Sequence, residues 1–274
     1  MSVKIVYEVG INANGDLGIA KRMIDVAVAS GCDYVKFQKR CIDLVYSKEE
    51  LKSLRKSPWG DTTEDQKRGL EFTLTEYYEI DEYCKKKGIP WFVSPWDNVS
   101  VADMDRFDNP YVKVPSGLIT DMSYLEAIKK TKKPVILSTG MSTYIQVEEA
   151  IAFLGTQIEY ILHCTSTYPS KPGEQDLLVI KWLQEQYPNY KIGFSNHSPG
   201  LTFMLGAVAL GVSMIEAHGT CDRSMYGSDQ SASIEPEGWF RLVKHIRAME
   251  EALGDGIKKI HDSEYPVMLK LRKV

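Results

Sequence analysis

The sequence predicts a closed (β/α)8 TIM barrel forming a single α/β domain. Three observations predict it: a unit of apolar strand, polar loop and amphipathic helix recurs eight times along 274 residues; the strands are near-continuous apolar runs, as strands buried on both faces must be; and no glycine-rich dinucleotide fingerprint follows the first strand, which disfavours an open doubly wound sheet.

The units follow in order. KIVYEVGI (4–11) is the first strand, with a helix over 18–30. YVKFQK (34–39) is the second, followed by a long polar insertion (41–71) and a helix over 73–88. PWFVSP (90–95) precedes a short helix over 101–107, and YVKVPS (111–116) a helix over 122–131. PVILSTG (134–140) leads to a helix over 144–155, YILHCTS (160–166) to one over 177–187, and KIGFSNH (191–197) to one over 201–211. MIEAHGT (214–220) is the eighth strand, with a final helix over 236–254. Gly31, Gly88, Gly155, Gly211 and Gly254 stand where helical patterns stop. Residues 1–256 are therefore read as the barrel and 257–274 as a polar, basic C-terminal tail. The insertion has two equal readings, a lid over the barrel mouth or a solvated excursion with Trp59 packed down.

Composition narrows the function. Hydrophobic residues make up 43% and charged residues 26% of the chain, and the net charge is -4 with no basic stripe, which argues against a nucleic-acid partner. No apolar stretch is long enough for a membrane span, and the first strand begins at once, with no signal-peptide pattern. The five cysteines are scattered, odd in number and without CxxC, so reduced thiols in a cytoplasmic protein are expected rather than disulfides or structural zinc.

Polar groups interrupt the strands near their C-terminal ends: Glu8, Lys36, Gln38, Ser94, Lys113, Ser116, Ser138, His163, Ser166, Tyr168, Ser195, His197, Glu216 and His218. In a barrel those ends surround one mouth, and two lysines with several hydroxyls there suit an anion carrying phosphate and carboxylate. For Glu8 and Lys36 alone, an interior ion pair on adjacent strands explains the residues about as well. His197 and His218 end neighbouring strands, about 4.8 Å apart in such a sheet, and could share a divalent metal with open positions. On spacing alone, two hydrogen-bonded core histidines are the simpler reading. His163, in mid-strand, reads as a core or supporting residue, and His245 and His261 receive no role.

The segments EVGINANGDLGIAKRMIDVAVASGCDYVKFQ, PWG…LEF, FVSPWD, VKVPSG, ILSTGM, ILHCTSTYP, GFSNHSPG and IEAHGTCDRSMYGSDQSASIEP, with the final helix, resemble the sialic acid synthase family, the phosphoenolpyruvate-dependent N-acetylneuraminate and related nonulosonate synthases. The resemblance runs over nearly the whole chain. It implies condensation of phosphoenolpyruvate with an open-chain aldose such as N-acetylmannosamine, giving a nine-carbon 2-keto acid and phosphate. It implies that Lys36, Lys113, Ser94, Ser116, Ser138 and Ser195 hold phosphoenolpyruvate, that His197 and His218 hold Mn2+ or Mg2+, and that Glu8, Gln38, Tyr168 and Asp229 orient the sugar or a metal-bound water. It also implies a homodimer.

Four departures accompany it. Leu118 stands where the family carries an acidic residue, a candidate general base. Ser166 replaces the Asn of HCTN and joins the substrate-binding set. Ala13 replaces a larger polar residue in INANG. The family's C-terminal antifreeze-like domain, which caps the partner's mouth, has no counterpart in these residues. Two alternatives stay open: a synthase of another 3-deoxy-2-keto sugar acid with a different aldose, and a non-catalytic phosphosugar-binding barrel.

Overall fold

The computed structural model describes residues 2–272. It begins with β1 (Lys4–Gly10), α1 (Leu17–Ser30) and β2 (Tyr34–Lys39). The insertion then forms α2 (Ile42–Val45), α3 (Lys48–Leu51), a hairpin of β3 (Leu54–Ser57) and β4 (Gly60–Thr62), and α4 (Thr63–Leu70). The repeat resumes with α5 (Leu74–Lys87), β5 (Trp91–Pro95), α6 (Asn98–Met104), β6 (Val112–Val114), α7 (Met122–Lys130), β7 (Val135–Ser138), α8 (Tyr144–Leu154) and β8 (Ile158–Cys164). It closes with α9 (Val179–Gln186), β9 (Lys191–Asn196), α10 (Thr202–Ala209), β10 (Met214–His218) and α11 (Pro236–Leu253), before a short α12 (Tyr265–Leu271).

Eight parallel strands close in the order β1-β10-β9-β8-β7-β6-β5-β2, so the predicted barrel is the observed one. Local chemistry sets the helix ends. The Asp16 side chain caps α1 by accepting from the Ile19 amide, and Gly31 ends it in the left-handed conformation at φ 86°. Thr73 and Glu76 form a reciprocal capping box on α5, and Gly88 ends that helix at φ 71°.

Two apolar layers fill the molecule. The larger lies between barrel and helices, where Trp239 of α11 packs on Tyr7 of β1, ring centroids 4.5 Å apart. The smaller plugs the barrel interior with Val6, Phe92, Tyr111, Ile136, Tyr160, Leu162 and Met214, and Tyr34 against them. This plug positions everything above it. Side chains two residues apart on a strand share a face. Two residues beyond Val6, Tyr34, Phe92, Tyr111, Ile136 and Met214 therefore stand Glu8, Lys36, Ser94, Lys113, Ser138 and Glu216. On β9 the plug position is Gly193, where a Cβ would lie 2.4 Å from Leu162 Cδ2; its neighbours fill the space, and Ser195 follows two residues on.

The insertion is folded, and Trp59 is packed down as one of its two readings has it. Its Trp59 lies against Gly69, where an added Cβ would meet the indole at 2.1 Å, and its ring is 5.6 Å from that of Tyr226 in the loop after β10. Thr62 and Asp65 form the capping box of α4. All five cysteines are free. In the predicted tail, α12 and the exposed residues before it pack on little of the barrel, and residues 273–274 of that tail lie outside the described ones. No helix among the described residues is long and apolar enough to cross a membrane.

Candidate active site

The C-terminal ends of the strands enclose a cavity of about 240 Å3. Lys36, Gln38, Ser94, Lys113, Ser116, Ser138, Ser166, Tyr168, Ser195, His197 and His218 line it, joined by Glu216, Trp96 and Met141. Of the polar residues singled out in the sequence, Glu8, His163 and Asp229 do not line it; Glu8 and Asp229 each stand behind a residue that does, Lys36 and His218.

Four buried charges form its floor. Lys36 Nζ lies 2.8 Å from Glu8 Oε2 and 2.9 Å from Glu216 Oε1, and Lys113 Nζ lies 3.6 Å from the same Glu216 oxygen. Lys113 also donates to Ser138 Oγ, and Ser195 Oγ donates to Glu216 at 3.0 Å. Burial alone would lift the Glu216 carboxyl, but Lys113 and Lys36 overcome it and hold the group down at about 2, ionised at neutral pH. Burial pushes the Lys36 ammonium the other way, down to about 7, against the pull of Glu216. The Glu8–Lys36 pair expected from adjacent strands is present, yet it belongs to this larger set. In the sequence Glu216 is one polar strand position among several. Its spacing two before His218 was the available signal that both face inward.

Gln38 donates to Glu8 Oε1 at 3.1 Å and accepts from Arg40 at 2.7 Å. β1 shifts register after Glu8, and Gly10 sits at φ +53°; a Cβ there would stand 3.0 Å from Glu8 Oε1 and 3.2 Å from His218 Nδ1. This close backbone approach seals one side of the site.

His197 Nδ1 lies 2.7 Å from the Thr165 carbonyl oxygen, so that nitrogen carries the proton and donates it. Nε2 is left with its lone pair, and Tyr168 OH donates to it at 3.1 Å. The His218 ring centroid is 5.7 Å away, and its buried Nδ1 has no hydrogen-bond partner, with Asp229 Oδ2 at 4.0 Å. Burial, first, lowers both imidazoles, His197 to about 3, so both are neutral at physiological pH. Two neutral imidazoles on one cavity, one with its tautomer fixed by a carbonyl and one with an orphaned nitrogen, fit a divalent cation that takes its other donors from water or substrate. Among the described residues no three His, Cys, Asp or Glu side chains converge as a closed, all-protein metal site.

His163 is a supporting residue, as its mid-strand place suggested: Nε2 lies 2.7 Å from the Gln175 carbonyl and the ring packs on Phe194. Ser116 and Gly117 face the cavity, while Leu118 packs into the helix–barrel layer, so no side chain enters from the family's acidic position. A larger cleft of about 660 Å3 opens between α8 and α9 and shares Met141 and Ser166 with the site. It contains Glu174 and Asp176 and no lysine or arginine, so it is the poorer place for an anion.

The NeuB family model matches residues 23–258. N-acetylneuraminate-9-phosphate synthase of Homo sapiens is 36% identical over 274 residues, covering 98% of this chain and 76% of that protein. N,N'-diacetyllegionaminic acid synthase of Campylobacter jejuni is 37% identical over 278 residues, covering 98% and 83%. Among solved structures, the N-acetylneuraminic acid (sialic acid) synthetase of Leptospira borgpetersenii in complex with citrate superposes with a TM-score of 0.86 at 29% identity, covering 98% of this chain and 91% of that one.

Proposed function

This chain belongs to the NeuB family, and we propose that it condenses phosphoenolpyruvate with an open-chain N-acetylmannosamine-type aldose, releasing inorganic phosphate and a sialic-acid-like 2-keto-3-deoxy nonulosonate. The observation that carries this reading is the convergence of Lys36, Lys113, five serines and the His197–His218 pair on one cavity.

Lys36 and Lys113 hold the carboxylate and phosphate of phosphoenolpyruvate, with Ser94, Ser116, Ser138, Ser166 and Ser195 donating to its oxygens. The lysines are already charge-balanced by Glu8 and Glu216, so the floor is pre-organised and needs no rearrangement when the anion enters. Gln38, Tyr168 and Asp229 surround the place where the aldose lies against the enol double bond. His197 and His218 would hold Mn2+ or Mg2+, which when bound supplies Lewis acidity toward the aldehyde oxygen. The C3 carbon of phosphoenolpyruvate forms the new bond to the aldehyde carbon, the aldehyde oxygen takes up a proton, water adds at C2, and the C2–O bond to phosphate breaks. Leu118 packs into the helix–barrel layer, and Glu216, which lines the cavity, is held by Lys36, Lys113 and Ser195; the carboxylates left to take the water's proton are Glu8 and Asp229, of which Asp229 has, among the described residues, no ion-pair partner within 4.0 Å other than His218.

The test is phosphate release in Mn2+ with phosphoenolpyruvate, with and without N-acetylmannosamine, and the mass of the product. Release that requires the sugar, and is lost in Lys113→Ala and His218→Ala proteins of unchanged circular dichroism, is the expected result. Phosphoenolpyruvate binding without release across mannosamine and hexose acceptors would leave a binding barrel instead.

A further inference from the structure

The loop after β8, residues 165–176, carries both groups that address His197: the Thr165 carbonyl, which accepts from Nδ1 at 2.7 Å, and the Tyr168 hydroxyl, which donates to Nε2 at 3.1 Å. Ser166, on the cavity wall, belongs to the same loop. Holding such a segment in one conformation costs backbone entropy, and Tyr168 is 44% exposed, so burial alone does not keep its ring over His197.

Within this loop only Ser170 and Gln175 are buried, at 4% and 3% exposure, and both are polar. They are tied to one another and to the barrel. Gln175 Nε2 donates to Ser170 Oγ at 2.7 Å and to the Lys171 carbonyl at 3.1 Å. The Ser170 amide donates to the His197 carbonyl at 3.0 Å. The Gln175 carbonyl faces His163 Nε2 at 2.7 Å, so that nitrogen carries the proton and donates it.

His163 is an odd choice for its position. Tyr160 and Leu162 of β8 point into the barrel plug, so Ile161 and His163 point outward, into the layer between strands and helices. Ile161 is apolar, as that layer demands; His163, packed on Phe194, is not. Burial lowers its imidazole below the ordinary histidine range and keeps it neutral. A buried imidazole costs free energy unless it is hydrogen-bonded, and its one partner among the described residues is the Gln175 carbonyl. A phenylalanine would pack on Phe194 as well and would leave that carbonyl without a donor.

We propose that His163 and Gln175 are positioning residues of the active site: with Ser170 they latch the loop to the ends of β8 and β9, and so fix the tautomer of His197 and hold the Tyr168 hydroxyl on its Nε2. This rests on the function proposed above for what His197 and Tyr168 then do. An imidazole that is to present one lone pair needs its other nitrogen protonated and bonded elsewhere. The Thr165 carbonyl meets that need only while the loop is seated; once it is free, the His197 proton exchanges between the two nitrogens.

The experiment reads His197 in protein free of metal and substrate. With 15N-labelled histidine, two-bond proton–nitrogen correlations report which nitrogen of each imidazole is protonated, and the His197 signals are identified by their loss in His197→Asn. The wild type should show His197 in the single Nδ1–H form. His163→Phe, which keeps a ring on Phe194 and removes the donor, should mix the two forms and weaken Mn2+ binding, by calorimetry, about tenfold or more. His163→Gln, whose amide returns a donor near the place of Nε2, should restore both. Ser170→Ala should move both readings the same way by less, and it carries the test if His163→Phe does not fold. Ile128→Val, which loosens the buried face of α7 away from the loop, should lower the melting temperature and move neither reading. Unchanged His197 signals and Mn2+ affinity in both loop variants, or in Ser170→Ala where His163→Phe is unfolded, overturn the latch. A loss in His163→Phe that His163→Gln leaves in place also overturns it, because packing rather than the donor is then at work. A wild type that releases no phosphate with any acceptor fails the condensation, while the imidazole signals still decide the latch.

Discussion

Replacing Glu216 by Gln tests the charge-balanced floor directly. The carboxylate holds Lys36 at 2.9 Å, Lys113 at 3.6 Å and the Ser195 hydroxyl at 3.0 Å, all in the buried interior. The amide keeps the shape and can still accept from Ser195, but it removes one of two negative charges facing two lysines. Losing one partner of a buried ion pair costs about 3–5 kcal/mol. Lys36 keeps Glu8 at 2.8 Å, so the lower end applies, and the cost falls chiefly on Lys113, whose remaining partner is the neutral Ser138. At about 2–4 °C per kcal/mol for a chain of this size, the melting temperature should fall by roughly 6–12 °C. Thermal unfolding by circular dichroism with and without phosphoenolpyruvate is the assay. The ligand's anionic groups replace the missing carboxylate, so at one fixed concentration it should raise the melting temperature of Glu216→Gln more than that of the wild type. The acid limb gives a second reading. A carboxyl ordinarily titrating at 4.5 and held at about 2 in the fold contributes stability that is complete above 4.5 and is lost as pH falls from there toward 2. The gap between the two proteins should therefore narrow on acidification through that window. A variant as stable as the wild type at neutral pH, with an unchanged ligand shift, would refute the argument that these lysines depend on Glu216.

Further outcomes follow from the same geometry. Gly140→Ala would place a Cβ 2.2 Å from Ser166 Oγ and 2.9 Å from Ser116 Oγ, so phosphoenolpyruvate should bind at least about tenfold more weakly by calorimetry while the melting temperature changes little. Gly219→Ala would drive a Cβ to 2.0 Å from the fully buried Tyr7 ring, which is pinned by Trp239, and should cost about 1–3 kcal/mol or more in denaturant unfolding. Chelation should abolish sugar-dependent phosphate release and added Mn2+ restore it, whereas His197→Ala should show no recovery at the same Mn2+ concentration and no Mn2+ binding by calorimetry. Tyr168→Phe, which removes the hydroxyl donor 3.1 Å from His197 Nε2, should lower turnover in the same release assay without unfolding the barrel.

The barrel, and the gathering of most of these polar side chains at one mouth, can be read from the residues alone. Eight apolar runs, each ending in a polar group, leave few other ways to bury both faces of a sheet, and such polar ends must then gather at one mouth. Period-2 alternation would also have placed Glu216 inward with His218, because the side-chain direction in a strand is a local property. What local pattern does not contain is which strand lies across from which, and at what height. The Glu8–Lys36–Glu216–Lys113 network joins β1, β2, β6 and β10, whose partners are fixed only by closure and register. The same limit hid the packing of Leu118 away from the cavity, the choice of Tyr226 as the partner of Trp59, and the small cleft that Arg40 and Lys67 both line, in an insertion whose composition fits a lid and a solvated excursion equally. Charge and hydrogen-bond energies depend on distances between residues remote in sequence, and those distances exist only once the cylinder has closed.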